Sequence, residues 1–260
     1  MARASASSSI QKVCAVLRTL SQRSPQRLTE IARSVSLNKT TALRILGELT
    51  QEGFVQRAAN SKSYELGGEL RAMAAQTRRP VDIVELAQPS LLRLAEKSAD
   101  TALLSIRREM EAVYIGRAVG THPLQPSYIN VGSRRLLGVG AGSLALLGWL
   151  PDAEMNTIID IVVSRQQAGS RITRNFLKER IRVARKCGYT FLIDAAIRGM
   201  GGIGVPVRDE NGEVIAALSI GAASDRIVSR ESMLSSALLQ EARLIARGVA
   251  ERQAAARRSR

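Results

Sequence analysis

The sequence is poor in the residue types from which most redox, metal and hydrolytic sites are built. Its 260 residues include two cysteines, Cys14 and Cys187, and one histidine, His122. Cysteines this far apart suggest neither a disulfide framework nor a thiolate metal cluster, and a lone histidine offers no obvious general base. We therefore expect no enzyme activity, no metal and no cofactor, and the low cysteine content fits the reducing cytoplasm.

Long apolar runs and a secretion signal are also missing. No stretch approaches the roughly 18 apolar residues that a membrane-spanning helix requires, and residues 1–9 are small and polar. A hydrophobic fraction of 45% is nevertheless typical of a globular chain that can bury real cores. We expect a cytoplasmic protein without a membrane partner.

Acidic residues are scarce relative to basic ones. Lys and Arg total 38 against 23 Asp and Glu, a formal net charge of +15. Residues 1–80 hold 13 basic and 5 acidic residues, whereas residues 81–260 hold 25 and 18, so the excess is denser at the start. A positive field of this size attracts polyanions, which makes nucleic acid the leading candidate partner. Charge alone leaves an ordinary solvated basic surface as an equal alternative.

Apolar periodicity in the first third predicts three helices. The first spans 10–20, and the second is short and starts with Thr29 as its N-cap. The third starts after Asn38, a good capping residue, and has one apolar face. That face consists of Ala42, Ile45, Leu46 and Leu49. Two short strands follow, so the order predicts a winged helix-turn-helix over 1–67.

The remaining pattern predicts a connector and a larger domain. Residues 68–80, which end in Arg78-Arg79-Pro80, are predicted to be a linker helix. A helix over 81–98 contains Pro89, which should kink it or divide it in two. Further helices are predicted at 138–150, 152–163, 173–187 and 229–252. Strands are predicted at 54–57, 63–66, 101–107, 112–118, 188–194, 203–207 and 214–220. Strands in hairpins flanked by helices indicate an α+β domain over 81–260.

The exposed face of the third helix supplies the side chains with which a helix-turn-helix reads DNA in the major groove. The candidate contacts on this helix are Lys39, Thr40, Thr41, Leu43 and Arg44. Arg44 suits a guanine or a phosphate, Lys39 suits a phosphate, and Thr41 faces either DNA or the protein interior. The wing candidates, expected at phosphates or in the minor groove, are Arg57, Lys62 and Ser63.

Two segments, Leu-Thr-Glu-Ile-Ala from Leu28 and the stretch 38–49, resemble the DNA-binding domain of IclR-type bacterial transcription regulators. The resemblance continues through 86–95, Val131-Gly132-Ser133-Arg134, Gly188-Tyr189, 199–207 and 216–220, so it covers about residues 10 to 250. It implies a GAF-like α+β effector-binding domain after the winged helix-turn-helix. It also implies a homodimer formed through the DNA-binding domains, further assembly into tetramers, and partly palindromic operators in double-stranded DNA.

The resemblance further implies a pocket for a small organic acid, held by backbone N–H groups of a glycine-rich segment and by the C-terminal strands. The matching positions here are Gly138, Val139, Gly140, Ala141, Gly142, Ser143, Leu192, Gly202, Ser219 and Gly221. N–H groups at a helix start favour a carboxylate. Family members frequently have an acidic residue at position 192, Cys or Ser at 202, His at 138 and Lys at 144. We therefore predict a roomier, less polar pocket that binds an aromatic or branched carboxylic acid; tight turns are the alternative role of the glycines.

Two glycine patterns imitate other sites. The stretch 199–204 has the spacing G-x-G-x-x-G, but Pro206 and a β pattern follow where a dinucleotide site needs a helix. Ser143 lacks the flanking glycines of a nucleophile elbow. We therefore predict neither NAD binding nor hydrolysis. The alternative to a sequence-specific regulator is a non-specific or architectural nucleic-acid-binding protein, which would explain the charge but not the large α+β domain.

Overall fold

A computed structural model describes residues 8–59, 61–76, 82–166 and 170–258 of the chain. Contacts divide the chain into two compact units, Met1–Arg79 and Pro80–Arg260. Both units combine helices with antiparallel strands, as the α+β prediction requires. Residues 77–81, the end of the predicted linker and the start of the next predicted helix, lie outside the described residues.

The first unit is a small helical bundle with a three-stranded sheet. Its helices are α1 (Ser9–Gln22), α2 (Leu28–Ser34), α3 (Lys39–Gln51) and α4 (Gly68–Gln76). Its strands are β1 (Gln26–Arg27), β2 (Val55–Arg57) and β3 (Ser63–Leu66), in the order β1-β3-β2. The β2–β3 hairpin is the predicted wing. Val55 on β2 lies opposite Leu66 on β3.

Local sequence determines where α3 begins and which side it buries. The Oδ1 atom of Asn38 accepts a hydrogen bond from the backbone N–H of Thr41 at 2.7 Å, which satisfies one free donor of the first turn. The four residues of the predicted stripe are buried, which confirms that prediction. The prediction that Thr29 caps α2 is wrong: this helix begins at Leu28, and the N–H of Arg27 donates to Glu30 instead.

The second unit is one antiparallel sheet between two layers of helices. Its helices are α5 (Ile83–Ser98), α6 (Ala141–Gly148), α7 (Asp152–Ser164), α8 (Arg174–Cys187), α9 (Ser224–Ser229) and α10 (Glu231–Arg258). Its strands are β4 (Thr101–Arg108), β5 (Glu111–Ala118), β6 (Arg134–Leu136), β7 (Thr190–Ile193), β8 (Met200–Arg208) and β9 (Val214–Ala223). The strand order is β6-β5-β4-β9-β8-β7.

Strand alternation separates two cores in this unit. On β9, Ala216, Leu218 and Ile220 pack in one cluster with residues of α5 and α10. Ala217 belongs to the other cluster, which contains buried residues of α6, α7 and α8. Because successive strand residues face opposite sides, one strand contributes to both helical layers. This sandwich places the N-terminus of α6 against one face of the sheet.

Several element predictions need correction. Pro89 does not divide the helix over 81–98, because α5 is continuous from Ile83 and its apolar side packs on the sheet. The last helix begins at Glu231 and extends to Arg258, beyond the predicted end at 252. The short elements β1, β6 and α9 were not predicted. The glycine pattern at 199–204 leads into strand β8 and not into a helix. This agrees with the prediction that the pattern only resembles a dinucleotide-binding motif.

Glycines on β8 allow α6 to lie directly on the sheet. A Cβ atom at Gly204 would lie 2.6 Å from the carbonyl oxygen of Ala141 and 2.9 Å from the backbone nitrogen of Gly142. At Gly202, a Cβ atom would lie 3.2 Å from the Cβ of Ala141. The hydroxyl of Thr190 lies 2.8 Å from the same Ala141 oxygen and can donate to it. A side chain on this strand would therefore push the first turn of α6 away from the sheet.

Replacing Gly204 with alanine should lower the free energy of unfolding of the second unit by about 1–3 kcal/mol, the usual effect of overpacking. The added methyl group would meet backbone atoms, which cannot rotate away. Urea denaturation followed by circular dichroism measures the loss. The matched control is Gly148→Ala in α6, where the new Cβ would meet only Ile181 at 3.7 Å. Equal stability of the two variants would contradict the close approach.

Candidate functional site

The exposed side of α3 presents most of the predicted DNA contacts. Lys39, Thr40, Leu43 and Arg44 are exposed, and Thr41 is half-buried with its N–H bonded to the helix cap. Leu43 is 48% exposed, which is unusual for a leucine of a helix whose opposite face forms the core. The predicted set on α3 therefore occupies one accessible face near the N-terminus of the helix.

A groove of about 670 Å³ joins α3 to the wing within the first unit. The predicted contacts that line this groove are Leu43, Arg57, Lys62 and Ser63. Lys39, Thr40, Thr41 and Arg44 lie on α3 outside its lining. The residues that sequence reasoning missed are Arg27, Leu28, Thr29, Ser61 and Tyr64. Arg27, Leu28 and Thr29 were missed because the start of α2 reaches the wing through the unpredicted pairing of β1 with β3. Ser61 and Tyr64 lie in the predicted wing but were not singled out there.

The wing arginine is held by an aromatic neighbour. The guanidinium carbon of Arg57 lies 4.7 Å from the centre of the Tyr64 ring, and its Nη2 donates to the Tyr64 hydroxyl at 3.0 Å. Tyr64 itself is buried. Cation–π stacking and a hydrogen bond restrict the side chain before any ligand arrives, so less conformational entropy is lost when it binds an anion.

The base-reading candidate on α3 is paired with an acid. Nη1 of Arg44 donates to Oε1 of Glu48 at 2.7 Å, and the two side chains are 63% and 57% exposed. Such exposed pairs one helical turn apart contribute only about 0.3–0.5 kcal/mol. A phosphate or a guanine edge can therefore replace Glu48 as the partner of Arg44 at little cost.

The second unit contains a cavity of about 60 Å³ between the sheet and the N-terminus of α6. The predicted effector-binding residues that line it are Gly140, Ala141, Gly142, Leu192, Gly202, Ser219 and Gly221. Gly138, Val139 and Ser143 do not line it. Gly138 lies against Leu147 and Leu177, Val139 packs in the core around α6, and the Ser143 hydroxyl donates to the Gly140 oxygen at 3.0 Å.

The predicted less polar lining is found only in part, and the size of the pocket relative to other family members stays a prediction. Leu192 and Gly202 do lack polar side chains, but three residues that sequence reasoning missed occupy the space. They are Tyr114, Tyr128 and Arg135, which come from β5, β6 and the long connection between them. The remaining walls are apolar and include Leu103, Ile129 and Ile197.

The two tyrosines and the arginine give the cavity its polar groups. Tyr114 is 2% exposed, and burial raises the pKa of its hydroxyl above the ordinary value, so the group remains a hydrogen-bond donor. Burial also raises the pKa of Tyr128. The guanidinium carbon of Arg135 lies 5.0 Å from the centre of the Tyr128 ring. The cavity thus combines a cation with neutral phenols.

Two serine hydroxyls meet at the first turn of α6. A Cβ atom at Gly142 would lie 2.8 Å from Oγ of Ser219 and 3.3 Å from Oγ of Ser105. The Ser105 hydroxyl is buried and has no hydrogen-bond partner within the described part of the chain. Glycine at 142 therefore allows both hydroxyls to approach the helix start, where backbone N–H groups have no partner within the helix.

Among residues 8–59, 61–76, 82–166 and 170–258, no group of three or more His, Cys, Asp or Glu side chains is placed to hold a metal ion. In the same ranges, no helix has both the length and the apolar character needed to cross a membrane.

Comparison with protein families identifies both units. The IclR helix-turn-helix domain matches residues 9–59, and the family described as bacterial transcriptional regulator IclR C-terminal matches residues 55–247. The chain belongs to the IclR family of transcription regulators. The winged helix-turn-helix followed by an α+β domain, predicted from the sequence, is thereby confirmed, and the family relatives are DNA-binding regulators rather than enzymes.

Individual IclR proteins are similar over most of their length. The regulator KdgR of Escherichia coli is 28% identical over 214 residues, which cover 82% of this chain and 81% of KdgR. The crystal structure of an IclR regulator from Alicyclobacillus acidocaldarius has a TM-score of 0.74 and 24% identity, covering 91% of this chain and 96% of that one. An IclR homologue from Microbacterium hydrocarbonoxydans, solved with 4-hydroxybenzoate, has a TM-score of 0.72, 23% identity and coverages of 92% and 98%.

Changing Glu48 to glutamine in this IclR regulator should raise its affinity for DNA roughly twofold to fivefold at low salt. The variant frees Arg44 and removes a carboxylate that repels phosphates, and screening should reduce the gain as salt increases. Fluorescence anisotropy with a fragment of its own promoter region measures the change. Glu251→Gln, an exposed position in α10, makes the same charge change in the other unit. Weaker binding by the Glu48 variant would mean instead that Glu48 orients Arg44 for base reading.

Proposed function

We propose that this protein binds a partly palindromic operator in double-stranded DNA and that a small organic acid, bound in the second unit, modulates the binding. The observation that carries the DNA part is the groove in which α3 and the wing border one concave surface. The regulator acts in the cytoplasm, as a homodimer or tetramer. Exposed apolar side chains on helices α1 and α4, Ile10 and Met73, are candidates for the dimer contact.

Within this proposal the predicted residues have separate roles. Arg44 reads a base edge, since a guanidinium on the exposed face near a helix start can pair with O6 and N7 of guanine. Lys39, Arg57 and Lys62 neutralise phosphates and supply affinity that depends on salt. Thr40 and Leu43 contact phosphate or a thymine methyl group, whereas Thr41 supports the helix cap. Ser63 contacts the backbone of the DNA.

Arg44→Ala is the first test of the DNA proposal. Wild type should prefer its own promoter fragment over a scrambled one by about a thousandfold or more, and the variant should lose about 1–3 kcal/mol of that discrimination. Fluorescence anisotropy at two salt concentrations measures both. Arg243→Ala, an exposed arginine of α10, is the control for the loss of one charge. Equal binding to both fragments, a steep salt slope and no effect at Arg44 would favour the architectural alternative.

The effector proposal depends on the start of α6. The backbone N–H groups of its first turn, at Ala141 and Gly142, border the cavity and favour an anion through the helix dipole. Most of the other walls are apolar, which suits a carboxylic acid with a branched or aromatic body. The 4-hydroxybenzoate complex of the Microbacterium homologue, which shares this fold, supports a ligand of that kind. Tight binding of glyoxylate or pyruvate in isothermal titration would argue against it.

Gly142→Ala tests whether this cavity is the effector site. The methyl group would meet the Ser219 hydroxyl at 2.8 Å and displace it at the wall of the cavity, so it should weaken binding of the effector at least tenfold and leave DNA affinity without effector unchanged. A panel of isobutyrate, benzoate, 4-hydroxybenzoate and pyruvate, screened by thermal shift and then added to the DNA titration, provides the readout. Gly148→Ala, at the other end of α6, is the control. An unchanged response in the Gly142 variant would place the effector elsewhere.

A further inference from the structure

We infer that Arg135 is the counter-ion of the effector and that the cavity selects monocarboxylates over neutral and dianionic relatives. The inference rests on the effector site proposed above and names the ligand class of that site. The negative charge of the ligand is recognised by a side chain on β6, a strand that the sequence did not predict.

Arg135 is the charged residue among those that line the cavity, and no described residue neutralises it. No acidic residue lines the cavity in the described ranges 82–166 and 170–258. Within the same ranges, the guanidinium has no carboxylate within ion-pair distance and no hydrogen bond to the protein. Holding a half-buried cation without a partner is unfavourable, and an anionic ligand would remove that cost.

Arg134, the residue before Arg135, has an acidic partner. Arg134 pairs across the sheet edge with Val113, and its Nη1 donates to Glu111 at 3.0 Å. Arg135 is opposite Ala112, whose side of the strand also carries Tyr114. Side chains alternate between the two faces of a strand, so Arg134 faces away from the cavity and Arg135 faces into it.

Tyr128 positions the guanidinium. The guanidinium carbon of Arg135 lies over its ring, 5.0 Å from the centre, and this cation–π contact holds the planar group. The N–H groups along the guanidinium edge have no hydrogen bond to a described residue. A carboxylate approaches guanidinium groups along this edge and can accept two parallel hydrogen bonds. The stacked pair therefore leaves the recognition edge free.

Tyr114 supplies a second donor at the same place. It is the diagonal neighbour of Arg135 on one face of the β5–β6 pair, and such neighbours are within reach of long side chains. Its hydroxyl would lie 3.7 Å from a Cβ atom at Gly140, the cap of α6. This hydroxyl has no hydrogen bond to any described residue. Arg135, Tyr114 and the start of α6 thus form one anion-binding corner.

The corner accommodates a single negative charge. A second carboxylate on the ligand would lie among apolar walls such as Leu103, Ile129 and Leu192. No hydrogen bond or cation there would compensate for the free energy of removing it from water. A neutral amide of the same shape would lose the pairing with Arg135. The preferred ligand is therefore a monocarboxylate with an apolar body.

The test compares two adjacent arginines. Isothermal titration measures the tightest binder among isobutyrate, benzoate, 4-hydroxybenzoate and pyruvate, together with its amide and with malonate or isophthalate. Arg135→Met should weaken monocarboxylate binding about thirtyfold, the range of a lost charge-assisted hydrogen bond. Arg134→Met, which removes the same charge one residue earlier, should change it less than about twofold. Arg135→Lys, which keeps the charge, should be intermediate.

Variants of Tyr114 and Tyr128 distinguish a hydrogen-bond donor to the ligand from a residue that positions Arg135. Tyr114→Phe should weaken the acid about threefold to tenfold and leave the amide unchanged, because only a hydrogen bond to the carboxylate is lost. Tyr128→Phe should have no effect, since the ring that stacks on Arg135 remains, whereas Tyr128→Ala should weaken binding several-fold.

The outcomes distinguish this inference from the proposed function. If an acid binds and alters DNA affinity equally in wild type and Arg135→Met, the effector site stands and the role of Arg135 is overturned. Equal affinity for acid and amide, or tighter binding of the dicarboxylate, also overturns it. If no acid of the panel binds or alters DNA affinity, both the inference and the effector proposal fail, while the DNA proposal is unaffected.

Discussion

The second unit depends on the contact between the first turn of α6 and the glycines of β8. At Gly204 the backbone of Ala141 is so close that no side chain fits between them. This contact brings the free N–H groups of a helix start onto the face of a sheet, where ordinary side chains would keep a helix about 10 Å away. The cavity, its hydroxyl groups and its cation are arranged around that turn. The glycines that resemble a nucleotide-binding motif in the sequence thus serve close packing, and the cavity forms beside that contact.

Basic residues have different kinds of partner in the two units. Two arginines of the second unit have a buried partner: Asp100 pairs with Arg226 at 3.1 Å and with Arg230, and both arginines also donate to the carbonyl oxygen of Ser98. On α8, three arginines pair with acids of α7 or of their own helix. Removing one partner of the buried Asp100 pairs is costly, so Arg226 and Arg230 are structural. The pairs on α8 are exposed and contribute little to stability.

Cations in the first unit are more accessible to a partner. Lys39 and Lys62 are exposed beside or within the groove, Arg57 is held by stacking, and the only acid paired to a predicted contact among the described residues is Glu48. Exposed pairs of this type exchange partners readily. The proposed DNA-contact surface is thus partly organised in advance, whereas the proposed effector corner leaves one guanidinium without a partner among the described residues. Both sites depend on an arginine whose position is determined by an aromatic ring or an adjacent acid.

The sequence by itself determined the local elements and the family. The start of α3 at Asn38, its buried stripe and the β8–β9 hairpin follow from caps, periodicity and turn residues that act within a few positions of each other. Seven of the ten predicted effector residues line one cavity, since the resemblance marks contiguous segments, and their contact with an effector stays a prediction. Only the tertiary structure decided that Tyr114, Tyr128 and Arg135 border the same cavity. Tyr114 lies on β5, Tyr128 on the long connection and Arg135 on the short strand β6. Antiparallel pairing between β5 and β6 brings them together. No local pattern encodes such a juxtaposition, because it depends on the register between segments that are far apart in the chain.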